Sequence, residues 1–266
     1  MAQSFGGSLG EGSDLHPAGE QQLAIRIGRV PLRLCGSRGE LLERAARRYA
    51  FFQSQHRGGL PVLLESAATP EDSHPRFRYD LNASSMELAP ESVHFSGVRN
   101  EYDLDSLLRV LLSVVLLPRC GFLLHAATVV RDGKAYVFMG RSGAGKSTVA
   151  SLSPPGSVLT DEISLLRCFQ GTWRAYGTPF WGEFRAEGQN CSAPLASVHE
   201  LVQSPRNAKE PLTAKQALGA LLGNTLFFTA AREPRQNLLG ILLDLIRSVP
   251  VHRLQFRRDT SFWEVV

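Results

Sequence analysis

The segment GRSGAGKS, Gly140 to Ser147, constrains this chain more than any other part of it. It fits the phosphate-loop pattern GxxxxGK[ST] in full. The preceding KAYVFMG has the pattern of a strand, and the following STVASL has that of a short helix, which is the context that such a loop requires. A glycine-rich turn that fits by chance is the alternative, and the flanking strand and helix favour nucleotide binding over it.

Each part of the loop has a physical role in binding phosphate. Glycines let successive backbone N–H groups approach phosphate oxygens, and the start of the following helix adds a partial positive charge. Lys146 supplies a mobile charge to the β and γ phosphates, and the Ser147 hydroxyl suits Mg²⁺. Arg141 either touches phosphate or substrate, or is a solvated loop-tip residue. The predicted nucleotide-binding residues are Gly140, Arg141, Ser142, Gly143, Ala144, Gly145, Lys146, Ser147 and, as a spare hydroxyl, Thr148.

A histidine is predicted beside the loop. Asp132-Gly133 is a strong signal for a two-residue hairpin turn between two β-rich runs. Such a turn pairs Arg131 with Lys134 and brings His125 opposite Gly140. His125 could orient an acid, bind phosphate or transfer a proton, or it could be a hydrogen-bonded core residue.

Two adjacent acids follow the loop helix in the segment SVLTDEISLLR. An acid pair that ends or interrupts a buried strand is costly unless it binds a cation or another charge partner. Asp161 is the natural Mg²⁺ ligand. In a regular strand Glu162 points to the other side, where it either serves as base for an incoming hydroxyl or is a solvated edge acid.

Candidates of lower rank lie farther along the chain. Glu183, with Trp181 as a wall, either reaches the acceptor or the metal or is an exposed turn acid. Arg257 and Arg258 either contact the nucleotide or, as the position at a strand end favours, form salt bridges.

The chain is predicted to contain a leader and two domains. Residues 1–21 have no periodicity and are expected to be a disordered leader. Residues 22–117 read as a small α+β domain that could bind the acceptor, with Arg47 and Arg48 on the solvent face of its first helix. Residues 118–266 carry the loop, and their order of strands and helices predicts a mixed β-sheet flanked by helices. The fold class is therefore α/β of the α+β type.

Composition excludes several classes of protein. The net charge of +4 is too small to indicate nucleic-acid binding. The four cysteines lack metal-knuckle spacing and are expected to be thiols in a reducing compartment. The first 22 residues lack the pattern of a signal peptide, and the most apolar stretch is interrupted too often to span a membrane. We expect a soluble, cytoplasmic protein without nucleic-acid or membrane partners; association of identical chains stays open.

A histidine at the head of a hairpin, GxSGxGKS at its end and an acid pair on the next strand resemble the catalytic domain of HPr kinase/phosphorylase. The wider phosphoenolpyruvate-carboxykinase-like fold shares this plan. The segments YGTPFWGE (176–183) and LQFRRDTSFW (254–263) are similar to parts of bacterial HPr-kinase-like proteins. The resemblance covers about residues 118–266, and the phosphate loop is its most specific element.

The resemblance implies a role for each candidate. The loop backbone and Lys146 would bind the phosphates of ATP, and Ser147 and Asp161 would bind Mg²⁺. Glu162 would be the catalytic carboxylate beside the acceptor hydroxyl, with His125 as its partner. The family's usual pair is Asp-Asp, whereas this chain has Asp-Glu. The family's later signature segment and its N-terminal domain have no evident counterpart here, so the fold transfers better than the HPr substrate does.

Three functions compete at this point. The first is an ATP-dependent kinase that phosphorylates a hydroxyl, in the first place a serine, of a protein or peptide. The second is a regulator that binds ATP without transferring phosphate, which the Glu at position 162 favours slightly. The third, a carboxykinase-like enzyme acting on small molecules, requires a further Lys/His metal set, and only His125 is available near the loop.

Overall fold

The computed structural model describes residues 21–37, 39–56, 58–65, 77–81, 84–89, 91–154, 156–182, 188–229 and 231–266. The expected disordered leader lies outside these residues except for Gln21. The chain divides into two compact units, between Leu112 and Ser113. Within the described part, no helix is both long enough and apolar enough to cross a membrane.

The first unit contains a six-stranded mixed sheet with two helices. Its spatial strand order is β1-β2-β3-β6-β5-β4, with β2, β3 and β6 parallel to one another. The helices are α1 (Gly39–Arg48) and α2 (Glu101–Val115), and a 3₁₀ turn covers Ala50–Phe52. The strands are β1 (Gln21–Ile27), β2 (Val30–Gly36), β3 (Leu60–Glu65), β4 (Phe77–Leu81), β5 (Ser84–Leu88) and β6 (Val93–Ser96).

A buried charge cluster joins the two helices of this unit. Arg48 on α1 donates to Asp105 Oδ2 from Nε at 2.7 Å, and the Tyr49 hydroxyl donates to Asp105 Oδ1 at 2.6 Å. The prediction that Arg48 lies on the solvent face is therefore wrong, because its side chain points inward and pairs with Asp105, 57 residues away in sequence. Asn100 caps α2: its Oδ1 accepts from the backbone N–H groups of residues 102 and 103.

The second unit is built on a nine-stranded mixed sheet. Its main strand order is β11-β10-β7-β8-β12-β15-β13, and β9 and β14 also pair with β7. The strands are β7 (Gly121–Arg131), β8 (Lys134–Met139), β9 (Val158–Thr160), β10 (Ile163–Phe169), β11 (Thr172–Tyr176), β12 (Ser192–Gln203), β13 (Ala208–Pro211), β14 (Thr225–Leu226) and β15 (Val251–Phe256). The helices are α3 (Lys146–Ser151), α4 (Ala214–Asn224) and α5 (Arg232–Ser248), and 3₁₀ turns cover Leu117–Arg119 and Thr260–Glu264.

Apolar layers cover both faces of this sheet. Buried residues of α4 and α5, among them Leu221 and Leu242, pack against one face. Val149 of α3 and Phe262 of the last 3₁₀ turn pack against the other. Alternation along a strand separates the two layers. Mixed sheets flanked by helices confirm the predicted α+β fold class.

Candidate functional site

The hairpin that leads into the loop has the predicted register. β7 and β8 pair from Arg131↔Lys134 to Ala126↔Met139. Asp132 and Gly133 between them both have positive φ, 51° and 73°, as a two-residue type I′ turn requires. Position 140 therefore leaves the sheet next to position 125. The local turn sequence alone determines this juxtaposition.

The position at the start of α3 requires glycine for two reasons, its backbone conformation and a close aromatic ring. Gly145 is the N-cap of α3 with φ 111°, a region that other residues rarely adopt. A Cβ atom on Gly145 would collide with the ring of Phe256. Phe256 is itself held edge-on against Phe262, with 6.0 Å between ring centroids. Phe256, at the end of the last strand, therefore packs directly against the phosphate loop.

Lys146 is turned back toward its own loop. Its side chain is buried, with 8% of the residue exposed, and Nζ donates to Gly140 O at 2.8 Å and to Arg141 O at 3.3 Å. Burial lowers the pKa of the Lys146 ammonium, and the negative charge of Glu162 opposes that shift. Phosphate oxygens could replace these carbonyls as the partners of the ammonium.

The two acids lie in a bend between β9 and β10, not within a continuous strand. Asp161 is 2% exposed, and its Oδ1 accepts from the backbone N–H of Gly182 at 2.9 Å. The expectation that Glu162 points away from Asp161 is wrong. The bend breaks the strand alternation, and both side chains line one cavity. A Cβ on Gly182 would lie 3.0 Å from Glu162 Cβ, so this segment packs closely over the pair.

His125 lies on the central strand β7 beside these acids. It pairs with Ile163, the residue after Glu162. The backbone N–H of Ala126 donates to Glu162 O at 2.9 Å, which fixes the bend to the strand next to the histidine.

A cavity of about 370 Å³ brings most of the predicted residues together. Of the predicted loop residues, Gly140, Arg141 and Ala144 are not among those that line it. The side chain of Arg141 is exposed, as the loop-tip alternative describes. The residues that line the cavity are His125, Ser142, Gly143, Gly145, Lys146, Ser147, Thr148, Asp161, Glu162, Gly182 and Arg258.

Residues 104–266, which include every residue that lines the cavity, match the model of the family described as SynChlorMet cassette protein ScmC. This chain belongs to the ScmC family. No curated protein matches it. The match covers more than half of the chain and includes the loop, the acid pair and the last strand.

Solved structures provide a further comparison for this ScmC-family chain. Fifty solved chains match it. One is described as the structure of the Hpr(Ser) kinase/phosphatase from Coxiella burnetii, with 14% sequence identity and a TM-score of 0.25. That match covers 47% of this chain and 88% of the other. The family assignment rests on the ScmC match and not on this likeness.

Arg258, one of the lower-ranked candidates, is among the residues that line the cavity. The Nη2 group of Arg258 donates to Gln203 Oε1 at 2.9 Å. The neighbouring Arg257 donates to Asp259 and, at 3.5 Å, to Ser261, so only this one of the two forms the expected ion pair. Sequence position alone does not distinguish two adjacent arginines after a strand. Gln203 carries no sequence signal of a site, and Gly182 is distinguished only by its place in the segment 176–183.

The residues around the loop suit magnesium better than a metal that needs several protein ligands. Within the described residues, no three His, Cys, Asp or Glu side chains form a metal-binding group. Mg²⁺ takes oxygen ligands and usually keeps several waters and substrate phosphates, so one or two protein oxygens suffice. Ser147 and Asp161 both line the cavity and offer a hydroxyl and a carboxylate. Glu183, the other acid considered, lies outside the described residues.

Proposed function

We propose that this ScmC-family chain is an ATP-dependent kinase that transfers the γ-phosphoryl group to a hydroxyl of a protein or peptide. A serine side chain is the first candidate for that hydroxyl. The observation that carries this proposal is a single cavity lined by the phosphate loop, Lys146, two adjacent carboxylates and a histidine. A site that only binds nucleotide has no need of a second carboxylate beside the terminal phosphate.

The chain's own residues divide the work. The loop backbone and Lys146 hold the phosphates in one orientation, which is the main contribution a protein makes to phosphoryl transfer. Ser147 and Asp161 would hold Mg²⁺, which neutralises charge on the β and γ phosphates when bound. Glu162 accepts the proton of the acceptor hydroxyl. At the same time the hydroxyl oxygen bonds to the γ phosphorus, and the bond from that phosphorus to the leaving ADP oxygen breaks. His125, beside Glu162, orients that carboxylate.

The first unit is assigned a role in substrate choice. Within the part of the chain that the structure describes, the residues that line the cavity come from the second unit. We propose that residues 22–117 bind the acceptor. A chain of residues 118–266 that phosphorylates the same acceptor at the full rate would contradict this.

Transfer of radioactive phosphate from γ-labelled ATP tests the proposed activity. Purified protein is incubated with a lysate of the source cell, and labelled proteins and peptides are compared between the wild type and Lys146→Ala. We expect labelling that requires the wild-type protein and is lost in the variant. ATP binding without ADP formation or labelling would instead support the regulator that binds ATP without transferring phosphate.

A further inference from the structure

Arg258 is connected to the phosphate loop through one amide side chain. Gln203, the last residue of β12, pairs with Phe256 of β15 and so lies beside the start of the C-terminal segment. Its Nε2 donates to Gly143 O in the loop, and its Oε1 accepts from Arg258 Nη2 at 2.9 Å. One residue therefore fixes both the tip of the loop and the guanidinium.

The charges around the cavity give the link between Arg258 and the phosphate loop a function. Among the described lining residues there are two carboxylates and two basic side chains, Lys146 and Arg258. The Lys146 ammonium is held at the base of the loop, on the carbonyls of Gly140 and Arg141. The terminal phosphate of a bound nucleotide must lie close to Glu162, which repels it. Arg258 supplies a second cation in the same cavity.

The guanidinium has the chemistry for this task. It carries five N–H groups in a planar fork, and Gln203 accepts from Nη2 alone. The fork matches two oxygens of one phosphoryl group, which an ammonium cannot do.

We propose that Arg258 binds the terminal phosphoryl group of ATP and that Gln203 positions it there. This inference rests on the proposed function and deepens it, since Arg258 would neutralise the charge that spreads over the phosphoryl oxygens during transfer. Arg258 is thus a catalytic residue of the proposed reaction, and Gln203 is a positioning residue that acts through it.

Arg257 provides a matched control on the adjacent position. It has the same side chain, but it donates to Asp259 and Ser261, and its backbone N–H donates to Asn207 Oδ1. It does not line the cavity. Both substitutions remove one positive charge from this end of the chain, so a general charge effect would lower nucleotide affinity equally in both. Loss of a contact with the phosphate would lower the affinity only in the Arg258 variant.

The test is calorimetric titration of the full chain with ATP and with ADP, each in the presence of Mg²⁺. Arg258→Ala is expected to weaken ATP binding by about 10- to 100-fold, the usual effect of losing charge-assisted hydrogen bonds, and to leave ADP affinity within about threefold. Arg257→Ala should change neither affinity. Arg258→Lys should recover only part of the preference for ATP, because the charge returns without the fork.

The preference for ATP over ADP, measured in the same titrations, tests the positioning role of Gln203. Gln203→Ala should lower the preference for ATP, and the double variant with Arg258→Ala should lower it no further than Arg258→Ala alone. Additive losses would overturn the positioning role. Equal losses for ATP and ADP in Arg258→Ala, or no loss, would overturn the inference and leave the proposed function intact. A wild-type chain that binds neither nucleotide would overturn both.

Discussion

At the scale of single residues, the proposed nucleotide binding should depend most on Lys146. The loop carbonyls already hold its ammonium in place, so the charge is positioned before a ligand arrives. Phosphate contacts at such a site stabilise the folded chain by mass action, because the unfolded chain has no loop to bind them.

Lys146→Ala should therefore abolish stabilisation by ATP. For the wild type, ATP at 100 times its dissociation constant should raise the free energy of unfolding by about 2.7 kcal/mol. The measurement is denaturant unfolding with and without Mg²⁺ and ATP. Lys215→Ala, an exposed position on α4, is the control and should keep the full effect. Equal stabilisation of the Lys146 variant would remove the loop from the proposed site.

At the scale of secondary-structure elements, local sequence predicts some features of the site and not others. Asp132-Gly133 predicts the turn and the register, because the φ angles of two residues determine both. The bend at Asp161 was not predictable from periodicity, since it depends on pairing of Ala126 with the chain at Glu162. The sequence does not distinguish Arg258 from Arg257 for the same reason. The partner of Arg258 is 55 residues away, and only the parallel pairing of two strands brings them together.

The contact between α1 and α2 gives a prediction about stability. Asp105→Asn should leave the buried Arg48 guanidinium without its counterion and lower the free energy of unfolding by about 3–5 kcal/mol. The side chains of this pair are 11% and 5% exposed. Asp103→Asn is the control on the same helix. Its partner Arg99 is 64% exposed, so the loss should be about 1 kcal/mol or less. Urea unfolding of both variants decides between them, and similar losses would contradict the argument.

At the scale of the whole molecule, one buried histidine makes stability depend on pH. His199 is stacked between Phe138 and His252, and burial, together with the charges of His252 and Lys209, lowers its pKa from 6.5 to about 3. Below pH 6.5 the unfolded chain takes up a proton that the folded chain does not. This contribution to stability is complete above pH 6.5 and is lost as the pH falls toward 3.

His199→Gln should flatten that dependence. The wild type should lose up to about 1.4 kcal/mol per pH unit more than the variant over this range, which corresponds to one proton. The free energy of unfolding is measured in urea at pH 7, 6, 5 and 4. His56→Gln, at an exposed position in the other unit, should behave as the wild type does. Identical slopes for the wild type and His199→Gln would contradict the argument.

The central claim is that this ScmC-family site carries out phosphoryl transfer, and the two acids test it most directly. ATP affinity in the presence of Mg²⁺ and the rate of ADP formation are measured on the same preparations of the wild type, Asp161→Asn and Glu162→Gln, with the acceptor-containing lysate present for turnover. Asp161→Asn should weaken both ATP binding and turnover, because it removes a proposed ligand of the Mg²⁺ that accompanies ATP. Glu162→Gln should keep the affinity and lose about 10²- to 10⁴-fold in rate. Undiminished turnover in Glu162→Gln would contradict the account.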